Sequence, residues 1–174
     1  WLEFRRVLFR SITAPTTANT ALTWNGSAFT WNATSGGPVF SAYMSTNQSI
    51  SSGVATKLIF NTVIFDSNSN FSTSNYRYTP TVAGYYYFYT VLSGGDNSTG
   101  TDLMVGSIYK NGTAYISSRA YDAVGQNVNL SCGSLIYMNG STDYLEIYAY
   151  MSSSNALSTV PERTYFQAFL ARGA

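Results

Sequence analysis

Few residues of this chain could carry chemistry, and none of them forms a known catalytic arrangement. The 174 residues include no histidine, so a Ser-His or Cys-His nucleophile pair cannot form and the usual general base is missing. No two carboxylates fall at a spacing that forces them together. Beyond residue 11 they stand at Asp66, Asp96, Asp102, Asp122, Asp143, Glu146 and Glu162. The sequence therefore predicts a protein that is not an enzyme.

Cys132 is the single cysteine, so it forms neither a disulfide within the chain nor a cysteine metal cluster. The alternating residues around it predict a buried thiol in a strand. Oxygen ligands suited to Ca²⁺ occur in or beside polar loops, at Asp96, Asn97, Asp102 and Asp122. Turn formation explains the same residues, because Asp and Asn bond locally to the backbone. We expect no cofactor, and a calcium ion at Asp96 and Asp102 stays open as an alternative.

Charge and hydropathy exclude two classes of partner. Only 10% of the residues are charged and the formal net charge is +1, with no basic run or stripe, so we expect no nucleic-acid binding. The uncharged stretch of residues 78–95 is long enough to cross a membrane, but Pro80, Thr81 and the Gly94-Gly95 pair interrupt it. That pattern predicts a strand between loops rather than a membrane-inserted segment.

Strands alternate with Ser-, Asn- and Gly-rich turns along most of the chain. No segment offers an apolar stripe of helical period, and the 15 tyrosines favour strands. Candidate strands cover residues 39–45, 57–66, 84–92, 102–110, 113–119, 127–138, 143–151 and 163–171. The Asn111-Gly112 pair predicts a two-residue hairpin turn. The pattern therefore predicts an all-β sandwich or jelly roll.

The chain divides into three parts on composition. Residues 1–11 do not begin with Met and lack a signal-peptide core, so we expect a non-native tail. Residues 12–38 contain the repeat Leu-Thr-Trp-Asn-Gly and Phe-Thr-Trp-Asn-Ala, which predicts a hairpin with Leu22 and Trp24 opposite Trp31 and Phe29. We interpret that part as a remnant of a longer shaft with its linker, and residues 39–174 as the main domain.

An ordered aromatic skeleton runs through the first half of the main domain. Its members are Phe60, Asp66, Phe71, Tyr78, Gly84, Tyr86 and Phe88. After Gly84, residues 85–92 place bulky side chains on both faces of the strand. One face can fill the core of a sandwich, and the other needs a second cover, for which another copy of the chain is the natural candidate.

This skeleton resembles the signature of the complement component 1q globular-head domain, which shares its jelly roll with the tumour necrosis factor family. Two positions depart from the signature. Tyr78 stands where the signature has Phe, and Thr90 stands where it has an aromatic residue. The resemblance extends from Val39 to about Ala171 through Phe40-Ser-Ala42, Lys110-Asn-Gly112 and Thr164-Tyr-Phe-Gln-Ala-Phe-Leu170. It implies a ten-stranded jelly roll that forms a three-fold trimer and binds without catalysis.

The resemblance also implies that Gly84, Tyr86, Phe88 and Phe166 pack inside each protomer. Parity then places Tyr85, Tyr87 and Tyr89 on the opposite face, where they are predicted to form the trimer interface. Tyr148 and Tyr150 alternate with Ile147 and Ala149 in a second doubly bulky strand, and we assign them to the same interface. Receptor binding is expected in the loops, with candidate residues Asp96, Asn97, Asp102, Tyr121, Asp122 and Asn155.

These observations predict a homotrimeric recognition module at an extracellular or virion surface. Family members carry a collagen stalk, and no Gly-x-y run occurs here. The Trp-Asn-Gly hairpin instead resembles segments of phage tail fibres, so we expect a receptor-binding tip that attaches to a host-cell glycan or protein. A purely structural fibre knob and a secreted complement 1q-like lectin or signalling ligand remain the alternatives.

Overall fold

The computed structural model describes residues 20–24, 26–33, 36–94, 103–121, 128–153, 155–157 and 163–174. All regular secondary structure in these residues is β-strand. The chain divides into two compact units, residues 1–36 and 37–174. The predicted non-native tail at residues 1–11 lies outside the described residues.

Among the described residues, no helix has the length and hydropathy that crossing a membrane requires.

The first unit contains one antiparallel hairpin of β1 (Thr20–Trp24) and β2 (Phe29–Ala33). Leu22 lies opposite Trp31 and Trp24 lies opposite Phe29, which confirms the pairing predicted from the repeat. The ring centroids of Trp24 and Phe29 are 4.9 Å apart. Gly26 has φ +96°. The turn requires this value, which residues with a Cβ atom rarely adopt. The role of this hairpin as part of a shaft stays a prediction.

The second unit is a sandwich of two antiparallel sheets. Its strands are β3 (Val39–Tyr43), β4 (Gln48–Ile50), β5 (Thr56–Lys57), β6 (Thr62–Asp66), β7 (Phe71–Ser72), β8 (Arg77–Tyr78), β9 (Gly84–Gly94), β10 (Leu103–Lys110), β11 (Thr113–Tyr121), β12 (Val128–Met138), β13 (Leu145–Met151), β14 (Asn155–Leu157) and β15 (Tyr165–Gly173). The seven-stranded sheet follows the order β4-β14-β9-β15-β3-β6, with β12 paired to β9. The six-stranded sheet follows the order β11-β10-β13-β8-β7, with β5 also paired to β13.

The core lies between the sheets and is rich in aromatic rings. Its largest fully buried side chains include Tyr78, Tyr86, Phe40, Phe60, Phe88 and Phe166, and the half-buried Phe71 packs against them. Each fully buried ring of this size contributes about 1.5–3 kcal/mol through removal of apolar surface from water. Cys132 is buried as well, 3% exposed, as the alternating pattern predicts.

The two departures from the aromatic signature are both accommodated inside the sandwich. Tyr78 is fully buried, and its hydroxyl accepts a hydrogen bond from Asn70 Nδ2 at 3.5 Å. Thr90 is fully buried on β9, and its Oγ1 donates to the carbonyl of Tyr165 at 2.9 Å. A buried hydroxyl is tolerated when it is hydrogen-bonded, and each of these two hydroxyls has a partner in the core.

The predicted strand at residues 57–66 is divided between the two sheets. Lys57 ends β5 in the six-stranded sheet, and Thr62 begins β6 in the seven-stranded sheet. Between them, Leu58 and Phe60 are buried where the chain crosses the edge of the core. The alternating pattern is continuous through these residues, so it does not reveal that the chain changes sheets here. The second unit contains thirteen described strands, where the sequence pattern predicts eight and the resemblance implies ten, because pairings of two or three residues are too short for a sequence pattern to reveal.

Candidate interaction surfaces

The structure describes two of the six loop residues predicted to bind a receptor. Asp96, Asn97, Asp102 and Asp122 lie outside the described residues. Tyr121 ends β11 and is 64% exposed, and Asn155 begins β14 opposite Ile50. The described residues contain no group of three or more potential metal-ligating His, Cys, Asp or Glu side chains. The receptor site and the calcium site therefore stay predictions.

The outer side of the seven-stranded sheet carries a continuous hydrophobic surface, which we call the apolar face. Tyr86 and Phe88 of β9 point into the core, so Tyr85, Tyr87 and Tyr89 point outward. Neighbouring strands extend this surface with side chains in register. Leu135 lies opposite Tyr87 and Tyr137 opposite Tyr85 on β12, while Phe169 lies opposite Tyr87 on β15 and Val39 opposite Phe169 on β3.

The aromatic rings of the apolar face contact one another across the strands. The ring centroids of Tyr87 and Phe169 are 5.7 Å apart, those of Tyr85 and Tyr137 5.4 Å, and those of Tyr87 and Tyr89 6.5 Å. Yet the side chains remain open to solvent, with Tyr87 38% and Phe169 47% exposed. Scattered exposed hydrophobic residues are ordinary, whereas a contiguous patch marks an interaction surface.

A groove of about 350 Å³ opens at the centre of the apolar face. Phe40 and Ala168 belong to its lining together with the outward side chains Val39, Phe65, Tyr87, Tyr89, Gln167 and Phe169. Gln167 Nε2 donates to Ser41 Oγ at 3.3 Å, which satisfies the amide at the edge of the groove. None of these described lining residues is an acid or base suited to catalysis. Its chemistry fits the burial of an apolar side chain.

The five tyrosines predicted to form one interface are not brought together. Ile147, Ala149 and Met151 of β13 are buried in the core, so Tyr148 and Tyr150 point out of the six-stranded sheet. They lie on the opposite side of the sandwich from Tyr87. Together with Tyr144, which precedes β13, they form what we call the tyrosine row. Whether any of these tyrosines contacts another protomer stays a prediction.

A buried carboxylate lies within the tyrosine row. Glu146 is 1% exposed, and its Oε1 accepts hydrogen bonds from Lys57 Nζ at 2.5 Å and Arg77 Nε at 2.6 Å. Burial raises the pKa of Glu146, but the hydrogen bonds and charges of Lys57 and Arg77 outweigh burial and hold that pKa below its usual value. Glu146 is therefore an ionised group that links β5, β8 and β13.

Arg77 has a second contact, because its guanidinium carbon lies 4.0 Å from the ring centroid of Tyr144. The hydrogen bond to Glu146 raises the pKa of Arg77, against the lowering effect of burial. Reasoning from the sequence missed this cluster. A usable signal existed, since Glu146 stands between Leu145 and Ile147 in a bulky strand, and a carboxylate there requires a buried cationic partner.

A second ion pair is structural. Lys110 Nζ lies 2.9 Å from Asp143 Oδ2, and Asn111 Nδ2 donates to Asp143 Oδ1 at 2.8 Å. Burial raises the pKa of Asp143, but these partners and the backbone NH of Asn139 together hold it below its usual value. The network joins the Asn111-Gly112 turn to the turn at Asn139, and the positive φ of Asn111 and Gly112 fits the predicted hairpin.

The chain is similar to known proteins in structure, and its sequence matches none of the families or curated proteins compared with it. Solved structures similar to it include the globular domain of zebrafish complement 1qA protein, which is 18% identical over 79% of this chain and 99% of that one with a TM-score of 0.57.

Two further solved structures are similar to this chain. Eiger TNF from S. frugiperda is 9% identical over 80% of this chain and 96% of that one, with a TM-score of 0.59. Murine APRIL is 14% identical over 76% of this chain and 97% of that one, with a TM-score of 0.55. The chain thus folds as an all-β jelly-roll sandwich of the complement 1q and tumour necrosis factor type, which confirms the fold class predicted from its aromatic skeleton.

Proposed function

We propose that this chain is a non-enzymatic recognition module that works as a homotrimer, with the apolar face buried between protomers. The observation that carries the proposal is the exposure of Val39, Tyr87 and Phe169 around one groove. Covering such a surface with another copy of the chain stabilises the assembly by about 25 cal/mol for each Å² of apolar area that is removed from water. The similarity of the fold to complement 1q and tumour necrosis factor domains supports a binding role.

Three-fold assembly gives the binding role a mechanism. A ring closes when one surface of each protomer contacts a different surface of the next. Three identical receptor sites then lie on one rigid head, and simultaneous contact multiplies weak affinities by about 10²–10⁴. The chain has no histidine, and the groove offers no acid-base pair, so we assign it no reaction.

The setting that we propose is an extracellular or virion surface, with the chain as the receptor-binding tip of a phage tail fibre. The support for this setting is the resemblance of the Trp-Asn-Gly segment to segments of phage tail fibres, and the strands on its two sides pair as a hairpin. The receptor would be a glycan or protein of the host-cell surface. We infer that its contacts include the predicted loop residues, with Tyr121 as the exposed member among those described.

Two measurements on the full chain test this proposal. Light scattering after size-exclusion chromatography should give three times the 19.0 kDa mass of one chain at micromolar concentration. A single protomer under those conditions would overturn the assembly. Labelled protein should also bind a glycan array or intact bacteria, and a trimer that binds neither would favour a purely structural knob.

A further inference from the structure

We propose that the tyrosine row and the cations beside it bind a carboxylate-bearing sugar unit of an acidic surface polysaccharide. The proposal rests on the proposed recognition function and names a substrate class for it. The site lies on the outer side of the six-stranded sheet, on the opposite side of the sandwich from the apolar face.

Aromatic rings supply the first half of such a site. Tyr148 stacks on Tyr109 of the neighbouring strand, with centroids 4.1 Å apart and ring planes at 27°. Tyr150 follows Tyr148 on the same face, displaced by two residues or about 7 Å along the strand. All three side chains are half-buried, so they are held in place while part of each ring contacts solvent. Rings of this kind offer an apolar surface and a hydroxyl to a sugar at low entropic cost.

Charge supplies the second half. Lys57 and Arg77 share the one carboxylate of Glu146, which leaves the cluster with a net positive charge. Arg119 adds a third cation to this face, because it lies opposite Val105 on β10 and Val105 lies opposite Tyr150. Glu146 is the sole carboxylate on this outer face among the described residues. The local field therefore favours an anionic ligand over a neutral one.

Arg77 has the geometry to bind a carboxylate directly. Its Nε donates to Glu146, while no hydrogen bond of its two terminal nitrogens is recorded among the described residues. The side chain is 37% exposed and rests on the ring of Tyr144. A guanidinium fixed in this way presents a planar pair of donors that matches a carboxylate, and little further ordering is needed on binding.

A second copy of the chain fits this surface less well than a sugar. The row mixes rings with charged groups, whereas the apolar face has the composition expected of a subunit contact. A compact three-fold assembly covers surfaces that converge on its axis, so it cannot cover the outer sides of two opposed sheets at once. If the apolar face is buried between protomers, the tyrosine row faces solvent in the trimer.

The test is binding of the full chain to immobilised acidic and neutral polysaccharides, with hyaluronan and polysialic acid as acidic probes and dextran as the neutral one. The site variants are Arg77→Gln and Tyr150→Ala. The matched controls are Arg163→Gln, an exposed arginine that precedes β15, and Tyr115→Ala, a tyrosine of β11 that is 54% exposed. Thermal unfolding and light scattering check that each variant is folded and trimeric.

We expect binding to an acidic probe that weakens with added salt, a loss of about tenfold or more in each site variant, and wild-type binding in both controls. Dextran binding equal to acidic binding would overturn the inference. So would folded site variants that bind bacteria and acidic probes like wild type, although the proposed recognition function would survive. Site variants that dissociate the trimer would show a subunit contact instead. If the wild-type trimer binds neither polysaccharides nor bacteria, both proposals fail.

Discussion

Arg77 donates through Nε to Oε1 of Glu146 at 2.6 Å, although 69 residues separate them along the chain. Glu146 accepts from Lys57 at the same oxygen, so one carboxylate joins three strands of the six-stranded sheet. Its side chain is 2% exposed, while those of Lys57 and Arg77 are 26% and 37% exposed. The anion thus bears most of the desolvation cost, and its ionisation depends on both cations.

Glu146→Gln should lower the free energy of unfolding by about 1–3 kcal/mol, because two cations lose a charged hydrogen-bond acceptor at a buried position. Urea denaturation followed by tyrosine fluorescence measures this. Lys57→Gln is the graded control. It should cost less, because Arg77 still pairs with the carboxylate and Lys57 is partly solvated. A Glu146→Gln protein as stable as wild type would contradict a stabilising role for the cluster.

Acid should destabilise the fold through the same carboxylate. The folded-state pKa values of Glu146 and Asp143 lie below their usual values of 4.5 and 3.8, so the unfolded chain takes up protons first as the pH falls. Their contribution is present above pH 4.5 and is lost as the pH falls through the lowered folded-state values. Unfolding free energies measured between about pH 7 and pH 2 should fall in that window, and less steeply in Glu146→Gln. Identical slopes would show that Glu146 is not the group responsible.

The close approach of two strands at Gly84 gives a third prediction. Gly84 has φ +156°, and a Cβ there would collide with the backbone carbonyl of Arg172. Gly84→Ala should therefore cost at least about 2 kcal/mol in chemical denaturation. Gly173 lies opposite Gly84 in the ladder, and a Cβ on it would meet nothing within 4 Å. Gly173→Ala should change stability by less than about 0.5 kcal/mol, and equal losses in both variants would contradict the argument.

Local pattern predicted the features that depend on neighbouring residues. The alternation at Tyr86 and Phe88 gave the inward face of β9, the Asn111-Gly112 pair gave its hairpin, and the run through Cys132 gave a buried thiol. The alternation of side chains shows which residues share a face of one strand. It does not show which sheet that strand joins, so the sequence predicts one interface for Tyr148 and Tyr87 although they lie on different sheets.

Features that depend on distant pairing were not predictable in this way. The ion cluster needs the pairing of β8 with β13 and of β5 with β13, which no local spacing in the sequence specifies. Leu58 and Phe60 are both buried between β5 and β6, so the alternating pattern continues although the chain changes sheets. The only sequence signal for long-range topology was the order of the aromatic skeleton, whose rings pack together in the core.

Charge placed on the apolar face should dissociate the assembly. Tyr87 contacts Phe169 beside the groove and is 38% exposed in one protomer, so in the proposed trimer a glutamate at this position would be a buried unpaired charge. We expect Tyr87→Glu to sediment as a single 19.0 kDa chain at a concentration where wild type is trimeric, with unchanged circular dichroism. Tyr115→Glu is the matched control, because Tyr115 is more exposed and lies on the edge strand β11, and it should remain trimeric. If Tyr87→Glu stays assembled, or if both variants dissociate, the apolar face is not the specific contact between protomers.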